Sequence, residues 1–566
     1  MSAWHGRTAG VSVWVALAVG CVASEASTYC VSPDGTAQGD GSRERPLSVA
    51  ALSEGRGAPA WAPKEGGHIG PPLRPGDEVV FLDGLYKTPL AIASVGNEKA
   101  PIVYRAENRH KAILDGGTPI AGWKKLPGQE GVWECRVEKA PEGVLCDGEG
   151  LINAESTWRR DGKKSLDEGM FACEKAEADP NALDEKKGGA ILRIRPWAGT
   201  EPKEVFAVAG AIVQVGGAYN VVDGLLIRRG VYGVGLGGKQ VHTYKQEPSP
   251  YLDASGLVNN SYGSFNIVRN CIIRDMVGCG MASNESRFNL IEDCVIYNAG
   301  MGQGDHGIYI SQGAENLTLR RNVWWRISGG GIHIYSGSGI DSPRGIVVER
   351  NVFGPDKRNR CFPLKGRKSA AIYVWGGSRW AGSNRILYNL VIGPNDRAIS
   401  INRSHFNLIA HNTFLGSDGA PIQMATSIGN VIANNILECA PGSDAHPAGY
   451  VHAQDDAAAL SRFRGNLLLN LPKVSNLREV APAVPAWMEA SRIAAADPFV
   501  DRAAFDFRPK PDAAAVGLGI PLPNLAPKRE GKTPDAGALQ LGDDRATLPE
   551  IPKWLLDEWP LARRGQ

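Results

Sequence analysis

Histidine is the side chain whose charge changes near neutral pH, and the chain has ten. Asp305-His306-Gly307-Ile308-Tyr309 gathers a carboxylate, an imidazole and a phenol in one short stretch. Downstream, Gly331-Ile332-His333-Ile334-Tyr335 sets a second imidazole between two isoleucines. An imidazole or phenol within hydrogen-bond reach of an acidic C–H or a leaving oxygen can serve as general base or acid. His333, Tyr309, His306 and Asp305 are therefore the catalytic candidates. Asp305 is expected to orient His306, which reads equally well as a turn residue. In an elimination, His333 or Tyr309 would remove the proton beside a carboxylate. Lys365, Lys368 or Arg403 would neutralise the enolate-like charge.

Such residues need a scaffold that brings them together. Strands with a period of two recur around them: Ile308 to Ile310, Ile332 to Ile334, Ile372 to Val374, Ile399 to Ile401 and Ile422 to Met424. If these aliphatics point inward, the alternate residues form outward rows. One row reads Tyr309, His333, Tyr373, Ser400, Gln423, and the next Ser311, Tyr335, Trp375, Asn402, Ala425. Aromatic planes pack on sugar C–H faces and amides pair with hydroxyls. Tyr335, Tyr373, Trp375, Asn402 and Arg403 are thus substrate-binding candidates. The excursion from Phe353 to Ala370 adds Lys357, Arg358, Arg360, Lys365, Arg367 and Lys368 against Asp356 alone. A solvated basic loop is the plain reading; a subsite for uronate carboxylates or sulfates is the functional one. Hydrolysis would instead require two carboxylates across the groove, drawn from Asp305, Glu285 and Asp341. Glu292 and Glu349 fall on other strands, solvent-facing or ion-paired. No metal ligand set is assigned and no cofactor is expected, although Asp and Asn oxygens could assemble a calcium site.

The strands belong to an internal repeat. Asn or Asp recurs at 270, 293, 322, 351, 389, 412 and 435. The intervals are 23, 29, 29, 38, 23 and 23, a base period of 23 with insertions. Short strands between Gly and Asn turns cannot each bury an apolar face alone, whereas coiling the chain stacks equivalent strands in parallel. This predicts an all-β fold, a parallel β-helix of about nine or ten coils and roughly 40–50 Å in length at ~4.8 Å per coil. The recurrent Asn is expected to form a hydrogen-bonded ladder at a coil corner. Cys271 and Cys294 are expected to be stacked core thiols, with a disulfide as the alternative.

The chain resembles secreted right-handed parallel β-helix proteins of the pectate-lyase-like superfamily, which holds polysaccharide lyases, glycoside hydrolases and epimerases. The resemblance is carried by Tyr29 to Gly35, Gly39 to Ser42, Arg45 to Leu47, Arg74 to Tyr86, Val221 to Ile227, Asp497 to Asp501, Asp506 to Pro511 and Asp535 to Ala538. It implies fold more than reaction. The Arg-x-Pro-x-x-Arg and Asp-x-His-Asp/Glu signatures of some lyase and epimerase relatives are missing from this sequence. Between 118 and 210 the period lapses around Trp123, Trp133, Trp158 and Trp197, which resembles a β-rich insertion of some members. The resulting organisation is a signal peptide (1–26), an N-terminal cap with the first coils (27–117), the insertion (118–210), the main β-helix (211–475), a C-terminal closing segment (476–544) and a loosely packed tail (545–566).

Composition narrows the partners. The 62 basic and 60 acidic residues leave a net charge of +2, so no global field recruits nucleic acid. His5 and Arg7, the apolar Val11 to Val19 and the small residues Ser24 and Ala26 read as an export signal. That apolar run is too short for a membrane span, and Ala18 is a poor fit to a lipoprotein signal. Secretion, to the periplasm, cell surface or medium, is expected, with a monomer acting on a polysaccharide, acidic if the basic excursion binds it. Cys135 and Cys146 could pair in that setting. The function expected is glycosidic-bond hydrolysis or β-elimination; the alternative is a non-catalytic glycan-binding surface protein.

Overall fold

The computed structural model describes residues 26–52, 72–155, 165–175, 189–197, 200–237, 263–301, 304–311, 313–336, 343–356, 370–376, 382–417, 419–439, 451–453, 461–469, 488–525 and 532–558. The N-terminal export signal, Trp158, Asp341, and the basic excursion with Lys365 and Lys368 lie outside the described residues.

Each coil contributes one strand to each of three parallel sheets. In one turn these are Leu290–Glu292, Val295–Ala299 and Ile308–Ser311; the next turn gives Thr318–Arg320, Val323–Ile327 and Ile332–Tyr335. The sheets hold 13, 12 and 10 strands, and pairing is parallel throughout, as in Ile291 with Leu319, Ile296 with Trp324 and Ile308 with Ile332. The fold is the parallel β-helix expected, and it runs longer than the Asn repeat alone. Strands such as Glu78–Phe81 and Ile102–Ala106 join the same sheets without that signature. Inside the coil a single continuous core stacks Val268, Ile291, Leu319, Val348, Ile386, Ile409 and Ile432, none of them accessible to solvent.

The corner between the 13-strand and 12-strand sheets explains the recurrent Asn and corrects its register. The residues at 270, 293, 321, 350, 388, 411 and 434 all adopt φ between 51° and 57°. This left-handed conformation turns the chain and costs a non-glycine residue roughly 1–2 kcal/mol. The next residue carries the ladder: Asn322, Asn351, Asn389, Asn412, Asn435 and Asn466 are buried, and the Nδ2 of each of the first five donates to the following Oδ1 at 3.0–3.1 Å. Asn270 and Asp293 are therefore not rungs. They stand one residue earlier, at the turn, and Cys271 and Cys294 fill the ladder position, with Cys294 N donating to Asn322 Oδ1 at 3.0 Å. Both thiols are buried and unpaired, so the disulfide alternative is not realised. A second ladder, which the repeat did not suggest, links Asn384, Asn407 and Asn430 at another corner.

Residues 118–208 form a separate eight-stranded, mostly antiparallel sheet. Its core includes Val144, Leu151, Phe171, Leu192 and Ile194, with Trp123, Trp133 and Trp197 against it. Cys135 and Cys146 are both free thiols, so the pairing that their spacing left open is not formed; each lies in a different strand, with Cys135 Sγ directed to Ala121 O. The sheet docks on the helix through Leu145, Val208, Val277 and Met301. An Arg326–Glu149 ion pair and the Asn298 Nδ2 bond to Gly148 O, at 2.7 Å, fix it there.

After the last coil the chain turns back along the outside. Phe499, Phe507, Ala515, Ala536, Leu539 and Leu548 cover the outward residues Val352, Leu390, Ile392, Leu415, Ile436, Leu467 and Leu469 of the 12-strand sheet. The described part of the expected loose tail is packed. Helix Lys553–Glu558 buries Leu555 completely among Tyr297, Val323 and Trp325, with Trp554 edge-on to Tyr297. Covering an outer apolar face that water would otherwise meet is the physical reason for this packing.

Candidate active site

The 10-strand sheet has an outer face that the backbone builds from one residue per coil. Its register pairs Ala282 with Tyr309, Tyr309 with His333, His333 with Tyr373, Tyr373 with Ser400 and Ser400 with Gln423. The isoleucines between them are buried, whereas Tyr309, His333 and Tyr373 remain partly exposed. The result is an imidazole flanked on successive coils by two phenols, with ring centroids 5.4 Å away on either side. Tyr335 lies 5.2 Å from His333 in the same terms and meets Trp375 edge-on at 5.9 Å. Trp375 is exposed, and its strand neighbour in the next coil is Asn402. Tyr335, Tyr373, Trp375 and Asn402 therefore share one wall with His333. Arg403 follows at an exposed turn with φ 49°.

His306 enters this group from the loop ahead of Ile308. Its Nε2 lies 2.8 Å from Nδ1 of His333, and its ring is almost fully buried. This contact corrects the expected Asp305–His306 pairing: Asp305 Oδ2 accepts from Met301 N at 3.0 Å, while Nδ1 of His306 has no hydrogen-bond partner. Two features of the fold make room. His306 N is anchored on Cys279 Sγ at 3.3 Å. Gly330, with φ 128°, lets the backbone approach where a Cβ would stand 2.4 Å from Ala370 O and 3.0 Å from the Tyr373 ring.

Electrostatics follow from burial. Loss of water pushes His333 down to about 3, and pushes His306 well below the ordinary imidazole value, helped by the neighbouring His333. Both rings are thus neutral at physiological pH. Burial likewise raises the Tyr373 and Tyr232 phenols, which stay protonated. Neutral imidazoles beside protonated phenols can exchange protons with a ligand without first losing a charge.

Sequence reasoning missed Arg397. It begins the strand Arg397–Asn402, is nearly buried, and donates through Nη1 to Gln423 Oε1 on the same wall. Asp396 Oδ2 stands 3.6 Å from its Nε. In sequence, Asp396-Arg397 looks like a solvated charge pair; only the apolar alternation starting at Ala398 hinted that its second member could be drawn under the wall. Of the expected carboxylates, Glu292 and Glu349 are ion-paired on the 13-strand sheet, away from this face. Among the described residues no cluster of three or more His, Cys, Asp or Glu side chains could hold a metal ion.

Residues 209–353, which include the coils of Tyr309 and His333, match the profile described as "Right handed beta helix region". No curated protein matches the sequence. Among solved structures, the chain is similar to pectate lyase Pel9A over 92% of its own length and 97% of that chain, at 14% identity and a TM-score of 0.48. It is similar to XylC, solved with xylose, over 78% and 75%, at 13% and 0.46. A mannuronic acid specific polysaccharide family 6 lyase from human gut microbiota aligns over 83% and 92%, at 12% and 0.34. The three stacked parallel sheets and the matched profile make the chain a right-handed parallel β-helix protein.

Proposed function

We propose that the protein is an exported carbohydrate-active enzyme that cleaves a polysaccharide along the 10-strand wall, by β-elimination from an acidic glycan. The observation that carries this reading is the Tyr309–His333–Tyr373 row, an uncharged imidazole between two phenols, with the Arg397 guanidinium at the end of the same face. A uronate bound there would lose its C5 proton to His333 or Tyr309. The C4–O4 bond would break as the C4=C5 bond forms, and a phenol would return a proton to O4. Arg397, Arg403 or the lysines at 365 and 368 would balance the charge that develops on the carboxylate. Tyr335, Trp375 and Asn402 would hold neighbouring sugar rings. The export reading rests on the N-terminal signal pattern; no described helix is long and apolar enough to cross a membrane.

Hydrolysis is the second reading. Asp305 precedes His306, and Asp396 stands 3.6 Å from the Arg397 guanidinium; an acid–base pair would be drawn from such carboxylates.

The test is incubation with polygalacturonate, alginate and xylan, following the ultraviolet absorbance of an unsaturated uronate together with reducing ends. Absorbance that rises with reducing ends supports elimination; reducing ends alone transfer the assignment to hydrolysis. Replacing His333 by Gln is expected to lower turnover by roughly 100-fold or more while the protein remains folded. Full activity in that variant would remove His333 from the chemistry.

A further inference from the structure

The corner between the 10-strand wall and the 13-strand sheet carries one aromatic ring that the packing of the coil does not explain. Strand register aligns Tyr219, Phe265 and Phe288 at this corner, and Ser383, Phe406 and Gly429 further along it. All six adopt φ between 55° and 69°, a conformation unfavourable for a bulky side chain. The first three rings offset that strain by stacking, with centroids 4.7 and 5.1 Å apart. Phe406 has Ser383 and Gly429 at the equivalent positions on either side, and it is 61% exposed. Gly429 lets its ring lie across the next turn, where a Cβ would stand 2.5 Å from it. An exposed ring on strained backbone is a loss that internal packing does not recover, and such losses gather where a chain binds something.

The turn beneath is rigid. Ser404 and Asn407 are buried: Ser404 N donates to Ser427 Oγ at 3.2 Å, and Asn407 Nδ2 donates to Ser404 Oγ at 3.0 Å and Asn430 Oδ1 at 2.8 Å. Arg403, His405 and Phe406 are the residues left facing outward. Nδ1 of His405 accepts from Ile428 N at 3.3 Å, so the neutral ring carries its proton on Nε2 and donates there. Asn402, in register with Trp375 on the wall, directly precedes Arg403; the wall runs straight into this turn.

We propose that Arg403, His405 and Phe406 form an outlying subsite for one acidic sugar unit of the glycan that the wall binds. This deepens the function proposed above, rests on it for the identity of the ligand, and assigns Arg403 to a carboxylate beside the reacting one. The Phe406 ring offers a flat apolar surface to sugar C–H groups. His405 donates to a hydroxyl, and the Arg403 guanidinium matches a uronate carboxylate. Held on a turn fixed by buried hydrogen bonds, these groups lose little freedom on binding.

Phe406→Asn tests the subsite, because Asn tolerates positive φ and only the ring is lost. Binding of polygalacturonate, alginate and xylan is measured by titration calorimetry, alongside thermal unfolding and turnover. Affinity for whichever acidic polymer the wild type binds should fall roughly 5–30-fold. KM should rise to match with kcat little changed, while the melting temperature holds or rises. Phe406→Trp, which keeps a ring, should restore binding, and Arg403→Gln should narrow the preference for acidic polymers over xylan. Unchanged affinity in Phe406→Asn would overturn the proposal, as would wild-type protein that binds none of the three polymers. If melting temperature falls together with affinity, Arg403→Gln decides: an unchanged preference for acidic polymers overturns the subsite. Titration needs no turnover, so weakened binding in a protein that releases no unsaturated product would remove the elimination reading and leave the subsite standing.

Discussion

Three histidines are kept neutral by the fold, and each makes that neutrality a condition of its contacts. His306 Nε2 and His333 Nδ1 lie 2.8 Å apart. His411, at the opposite side of the coil, has Nδ1 3.1 Å from Asp535 O, while its Nε2 accepts from Asn434 Nδ2 at 3.0 Å. Burial pushes His411 down to about 4 and His333 to about 3. An unfolded histidine titrates near 6.5. As pH falls below that value the unfolded chain binds protons that the folded chain refuses, so the contribution of these groups is complete above about 6.5. It declines by about 1.4 kcal/mol per pH unit for each ring until the folded value is reached. For His411 the window therefore runs from the unfolded value down to about 4. Calorimetric unfolding at about pH 5.5, in buffers of different ionisation enthalpy, should show about one fewer proton taken up by His411→Gln than by the wild type. Equal uptake would mean that His411 is already protonated in the folded protein.

At the scale of strands and corners, the hydrogen bonds of the Asn ladder are what hold one coil in register with the next. Asn412 Nδ2 donates to Asn435 Oδ1, Ile386 O and Ala410 O at 3.0, 2.8 and 3.1 Å, and its Oδ1 accepts from Asn389. Asn412→Ala leaves several buried groups unpaired and is expected to cost roughly 2–4 kcal/mol, measured by denaturant unfolding. Cys294→Asn should cost less than about 1 kcal/mol, because the thiol already occupies a rung 3.6 Å from Val268 O; a large loss there would contradict the corrected register. That correction shows what the sequence could convey. The aliphatic–polar–aliphatic spacing of Ile308, Ile332, Ile372 and Ile399 reports inward and outward faces directly, because the period of a strand is two. Asn270 and Asp293 misled because the turn residue before the rung also favours Asn and Asp, the side chains that best tolerate positive φ. The His306–His333 contact was not legible for a different reason: His306 lies in a loop, where no period fixes the direction of a side chain.

For the molecule as a whole, a coil whose turns touch only their neighbours needs no long-range cover to stay wound, yet this one has one. The outer face of the 12-strand sheet exposes Val352, Leu390, Ile392, Leu415, Ile436, Leu467 and Leu469, and the returning chain reduces each to 3% accessibility or less. The closing segment was legible, but not the face that it covers, because residues 497–548 are rich in Pro, Gly and Asp and have no period; their apolar members Phe499, Phe507 and Leu539 look isolated in sequence. Each large aliphatic or aromatic side chain buried in this way is worth roughly 1.5–3 kcal/mol, but the interior core of the coil does not depend on them. Removal of residues 497–566 is therefore expected to leave the β-sheet circular dichroism largely intact while exposing a contiguous aliphatic stripe. A stripe of that kind on a soluble β-sheet invites pairing with another copy, so light scattering after gel filtration should show the truncated protein as dimers or larger species under conditions where the full chain is smaller. If the truncated chain instead lost its β signal, the outer cover would be part of the folding unit and the coils would not be self-sufficient. If it stayed folded and at the mass of one chain, the face would not need covering, and another role would have to be found for the packing of Phe507 and Leu539 against it.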